Sequence, residues 1–123
     1  MMATMIATTC HCGAVCIEIP YVPETLTECN CSICRRYGVL WAYFQRPEVK
    51  ITAAPGATRA YAWGEKSLQF VRCATCGCVT HWEPTVTARG ERVGINARNF
   101  APAQLGAVRV RHLDGALTEQ YLD

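Results

Sequence analysis

A chain of 123 residues, half of them apolar and 18% charged, has the length and composition of one globular domain spanning residues 1–123, with a modest hydrophobic core. The formal net charge of +2 is small and its basic residues are scattered, which excludes a polybasic nucleic-acid arm; no stretch approaches the roughly 20 apolar residues of a membrane helix. Met1 to Thr9 carries neither the basic residue nor the apolar run of a signal peptide, so the expected compartment is a reducing cytoplasm, where thiols persist.

In chain order the pattern is mainly β. Val15, Ile17 and Ile19 alternate with Cys16 and Glu18, which predicts a half-buried strand. Val39 to Phe44 is an aromatic-rich apolar run ended by Gln45-Arg46-Pro47, and Val49 and Ile51 mark another short strand. Thr58 to Trp63 and Ser67 to Arg72 predict a hairpin through Gly64-Glu65-Lys66. Cys78 to Glu83 and Arg92 to Asn96 continue in the same style. Pro102 near the start and Gly106 at the end frame a short helical turn over Ala101 to Leu105. Val108 and Val110 suggest a last strand, followed by a turn at Asp114-Gly115. No segment sustains helical periodicity over three turns. The expected architecture is several short, coiled antiparallel β-sheets tied together by zinc-binding cysteine loops.

Seven of the nine cysteines fall into three clusters: Cys10-x-Cys12, Cys29-x-Cys31-x-x-Cys34 and Cys73-x-x-Cys76. Close thiols at these spacings point toward one metal ion more readily than toward one another, and an odd total fits poorly with a disulfide framework. The Cys73/Cys76 knuckle, followed by Gly77, is half of a zinc site, and Cys10/Cys12 followed by Gly13 is the matching half. Such a site joins the start of the chain to its middle and adds its binding energy to folding. Cys78 lies two residues past Cys76 and competes with it for the ligand position. The remaining trio, Cys29, Cys31 and Cys34, leaves a zinc ion one open position, unless Cys16, Cys78 or a histidine closes it.

Arg35 and Arg36 directly follow the trio and could offset its charge or hold an anionic substrate. Cys16, within a strand, reads as a small buried hydrophobe. His11, His81 and His112 read as structural, and Trp41, Trp63 and Trp82 as core or cleft wall rather than a stacking platform for bases.

Cys10-His11-Cys12-Gly13-Ala14-Val15, then Cys29-Asn30-Cys31-Ser32-Ile33-Cys34-Arg35-Arg36, then Cys73-x-x-Cys76-Gly77 resembles the glutathione-dependent formaldehyde-activating family, which includes the centromere protein V proteins. The resemblance runs from about residue 8 to residue 82. It implies two zinc ions per chain, a structural one on Cys10, Cys12, Cys73 and Cys76 and a catalytic one on Cys29, Cys31 and Cys34. It further implies a zinc-dependent carbon–sulfur lyase acting on a small thiol adduct such as S-hydroxymethylglutathione. Arg35, with Arg98, would then pair with substrate carboxylates. The partner expected is glutathione or a similar small thiol, with no nucleic acid and no membrane. The alternative is a non-catalytic, zinc-stabilised binding or scaffold module. Cys78 departs from the small hydroxyl or aliphatic residue usual in the family after the knuckle glycine.

Overall fold

The computed structural model describes residues 5–85 and 90–123 and builds them into two β-sheets. Strands β1 (Ile6–Thr9), β2 (Val15–Ile19) and β5 (Lys50–Ala53) form the smaller sheet, with β2 central and antiparallel to both neighbours. The larger sheet uses β3 (Thr25–Cys29), β4 (Trp41–Gln45), β6 (Thr58–Tyr61), β7 (Leu68–Cys73), β8 (Val79–Pro84), β9 (Arg92–Asn96) and β10 (Arg109–Leu113). Its order is β10-β3-β4-β9-β8-β7-β6. Helix α1 (Ser32–Tyr37) follows β3, and the single turn α2 (Pro102–Leu105) precedes β10. Among the described residues no helix is long and apolar enough to cross a membrane.

The mainly β expectation holds. The period-2 pattern of β2 places Val15, Ile17 and Ile19 wholly in the core, where they pack with Leu26, Ala42, Phe44, Val93 and Ile95 of the larger sheet and with Phe100 beyond β9. Each such fully buried aliphatic side chain contributes about 1.5–3 kcal/mol relative to exposure. Cys16 points to the opposite face of β2, between Thr9 and Thr52 of its neighbours, and is half-buried rather than part of the core. β9 lies mid-sheet, so Val93 through Asn96 are buried on both faces.

One pairing departs from the antiparallel pattern. β10 runs parallel to β3, matching Arg109 to Thr25 and Leu113 to Cys29. That register carries the end of β10 to the start of the trio loop. A second apolar cluster, built on Val39, Trp41, Phe70 and Val79, lies under that loop and includes Cys29 and Cys34.

Candidate metal centres and cavity

The two hairpin turns of β1–β2 and β7–β8 carry the first set of sulfurs. In the first, Gly13 N–H donates to the Cys10 carbonyl at 3.1 Å and Cys10 N–H to the Val15 carbonyl at 3.0 Å. In the second, Gly77 N–H donates to the Cys73 carbonyl at 3.0 Å and Cys73 N–H to the Cys78 carbonyl at 3.0 Å. Both tight turns need a left-handed residue, supplied by Gly13 (φ 86°) and Gly77 (φ 80°). The sulfurs of Cys10, Cys12, Cys73 and Cys76 all lie within 4.8 Å of one another. A tetrahedral ion with metal–sulfur bonds of about 2.3 Å has sulfur–sulfur edges of roughly 3.8 Å. The Cys10–Cys12 separation is 3.8 Å and the Cys12–Cys73 separation 3.5 Å, so the donor set fits such an ion. Cys78 is not a member of this group.

Backbone donors surround these sulfurs. Val15 N–H reaches Cys10 Sγ at 3.3 Å, and Thr75 N–H reaches Cys73 Sγ at 3.4 Å. Hydrogen bonds from Cys76 N–H and Thr75 N–H hold the Cys73 thiol below its ordinary range. Those from Cys78 N–H and Cys12 N–H lower Cys76 to about 5. Such donors favour the thiolate, the form that binds metal. Because the turns belong to different sheets, an ion held by these four sulfurs would fasten one sheet to the other.

The second set is Cys29, at the end of β3, Cys31, at the N-cap of α1, and Cys34, inside α1; their sulfurs also lie within 4.8 Å of one another. Cys29 and Cys34 are buried and Cys31 half-buried. Cys29 is lowered to about 5, first by the hydrogen bond from Cys34 and then by N–H groups including those of Cys31 and Gly115. The same bond, with burial, pushes Cys34 up. Buried Trp41 donates its indole N–H to Cys34 Sγ at 3.3 Å.

The trio is braced by a segment that the sequence signals only as a turn. Asn30 donates its amide N–H to Asp114 Oδ1 at 3.0 Å, and its side-chain oxygen accepts from Ala116 N–H at 3.0 Å. Thr118 closes the turn on Asp114 Oδ2 at 3.1 Å. These bonds press Gly115 against the site, where a Cβ would lie 2.5 Å from Cys29 Sγ and 3.3 Å from Cys31 Cβ. The trio therefore does not stand on its own loop alone. Asp114 and Gly115 were not readable as site residues, because only the parallel β3–β10 register brings them to Asn30 and the trio.

A cavity of about 380 Å³ opens over the trio, and all three tryptophans line it, with Tyr43, Phe70, Leu68 and the turn at Gly64-Glu65. Gly94 sits opposite Trp82 on β9, and the Trp82 indole lies directly over it, where any Cβ would collide. That close approach lays the ring across the sheet, edge-on to Tyr43 at 6.1 Å. Burial raises Tyr43 to about 12, so it remains a neutral phenol.

The arginines lie elsewhere. Arg35 is exposed on α1 and does not line the cavity. One residue past buried Cys34, it leaves the helix about 100° around from that side chain. Arg36 bonds the Ser32 carbonyl at 2.8 Å. Arg98 bonds the Gly38 carbonyl at 2.5 Å and lines a separate hollow with Leu26 and Leu40. His81 is buried beside Thr80 and Glu83, His112 pairs with Asp123, and His11 is exposed; none joins a metal-ready group among the described residues.

The model of the family described as "Glutathione-dependent formaldehyde-activating enzyme" matches residues 5–109. A search of curated proteins finds no match. Among solved structures, the crystal structure of a Rhodobacter sphaeroides protein, a structural genomics target, is 29% identical with a TM-score of 0.69. It is matched over 85% of this chain and 99% of its own. With the family model covering all three cysteine clusters, this chain belongs to the glutathione-dependent formaldehyde-activating enzyme family.

Proposed function

We propose that the protein is a zinc-dependent carbon–sulfur lyase of the glutathione-dependent formaldehyde-activating type, joining and separating a small thiol and a small aldehyde. The observation that carries this reading is that the Cys29/Cys31/Cys34 sulfurs line the cavity of about 380 Å³, whereas none of the four sulfurs of the other set does. In the synthetic direction the thiol sulfur bonds to the carbonyl carbon and the carbonyl π pair moves to oxygen. That oxygen takes up the proton the thiol gave up, and no electron is gained or lost overall. A zinc ion on the trio would supply a Lewis acid with one position open, keeping a thiol in its reactive thiolate form. Tyr43 lines the same cavity as a neutral phenol. Trp63, Phe70 and Trp82 exclude water and orient the adduct. The Cys10/Cys12/Cys73/Cys76 set has the structural role.

Exchange spectroscopy of a thiol with formaldehyde tests this directly. Micromolar protein is expected to accelerate exchange, and Cys31→Ser to abolish the acceleration. Unchanged exchange with the intact protein refutes the lyase reading for the thiol used. The bracing of the trio by Asp114 and Gly115 favours a second reading, a zinc-stabilised binding module without turnover. That reading predicts thiol binding with no acceleration.

A further inference from the structure

We infer that the cavity over Cys29, Cys31 and Cys34 selects an uncharged aryl or bulky alkyl thiol, or its aldehyde adduct, in preference to glutathione. This rests on the proposed thiol-handling role of the trio and names its substrate class. Glutathione brings carboxylates and a net negative charge at neutral pH. A carboxylate drawn out of water is tolerated only beside a cation or a set of donors. No arginine, lysine or histidine lines the cavity among the described residues. Its one carboxylate-bearing wall residue is Glu65, which repels an anion. Three thiolates outweigh the charge of a divalent ion, so a metal-loaded trio adds no positive field.

Arg35 is exposed and outside the wall, and two other nearby arginines are bonded to backbone carbonyls. Arg36 is bonded to its own helix, and Arg98 to the Gly38 carbonyl. Arg92 stacks over the Tyr43 ring at 3.9 Å and is not a wall residue. What faces the trio instead is aromatic and aliphatic: Trp63, Phe70, Trp82, Leu68 and Leu113. Gly94 lets Trp82 lie flat, so the wall presents ring surface on which an aryl group can stack. Cavity volume is at the small end of the range for ligand sites, which suits one ring and a thiol better than a charged tripeptide.

The test is a binding titration of the zinc-loaded full chain, read by the fluorescence of the three tryptophans, with phenylmethanethiol and glutathione as probes. Phenylmethanethiol is expected to bind at least about tenfold more tightly. Glu65→Lys, an exposed turn position, is expected to improve glutathione relative to phenylmethanethiol by about threefold or more. Glutathione binding as tightly as phenylmethanethiol, or a Glu65→Lys protein with unchanged relative affinities, would overturn the inference. Because binding is read without turnover, a protein that shows the expected preference but does not accelerate aldehyde exchange refutes the lyase reading alone.

Discussion

Replacing Gly115 with alanine adds one methyl group at the back of the trio. Gly115 is absent from the glycines with positive φ, so alanine meets no backbone strain and the effect is steric. The new Cβ would lie 2.5 Å from Cys29 Sγ. Ordinary non-bonded contact is about 3.5–4.0 Å, so the sulfur or the turn must yield by roughly 1 Å. Metal–sulfur distances tolerate only about 0.2 Å. The displacement therefore falls on the metal geometry unless the 114–116 turn gives way, and Asn30, Asp114 and Thr118 hold that turn. Changes in groups that support metal ligands typically cost about 10–100-fold in affinity, and Gly115→Ala is expected in that range for one ion of two. Overpacking costs of order 1–3 kcal/mol are partly offset by the lower chain entropy of alanine in the unfolded state, so the fold is retained. Chelator competition with a colorimetric zinc readout measures both ions in one experiment. The expected result is one ion released more readily and one unchanged. Two ions with wild-type affinities would refute the argument that Gly115 seats the Cys29 sulfur.

Trp41→Phe removes the indole donor to Cys34 Sγ and leaves a small void in a buried position; stability in denaturant is expected to fall by about 2 kcal/mol, with easier zinc release from the trio. The His112–Asp123 pair, at 2.7 Å, gives a pH-dependent term: His112 is raised above its ordinary value of 6.5, first by the hydrogen bond to Asp123. Its contribution is complete below 6.5 and is lost as pH rises through the folded value. Denaturation of wild type and Asp123→Asn should thus differ most near about pH 6 and converge at alkaline pH; a gap that grows with pH contradicts this.

Much of the framework was legible because local chemistry and global fold agree. The alternation of Val15, Ile17 and Ile19 reports a strand with one face on the core, and that is where β2 puts them. Gly64-Glu65-Lys66 marks a turn, and β6 pairs with β7 across it. Pro102 and Gly106 bracket α2. Helix α1 escaped notice because six residues are too few for a periodic pattern, and its N-cap is a cysteine that makes no side-chain cap. β3, Thr-Leu-Thr-Glu-Cys, is too polar to stand out as a strand, although Leu26, Thr27 and Cys29 are buried. The parallel β3–β10 pairing joins residues 84 apart, as in Asn30 with Asp114, and no local signal encodes it. The cysteine sets were visible because ligand spacing is local. The tryptophans read as core or cleft wall do line the cavity, but its place over the trio was not visible, since Trp63, Trp82 and Leu113 converge from three different strands or their turns. Proximity in sequence is not a place in the cavity wall, since Arg35 adjoins Cys34 and yet is exposed and outside that wall.

The central claim is a division of labour, in which Cys10, Cys12, Cys73 and Cys76 join the two sheets while Cys29, Cys31 and Cys34 serve the cavity. Zinc content measured alongside far-ultraviolet circular dichroism for wild type, Cys31→Ser and Cys73→Ser tests it most directly. The account predicts two ions in the wild type, one ion and a retained β spectrum in Cys31→Ser, and loss of fold in Cys73→Ser, whose quartet contributes on the order of 10 kcal/mol. A Cys31→Ser protein that unfolds as completely as Cys73→Ser would contradict it.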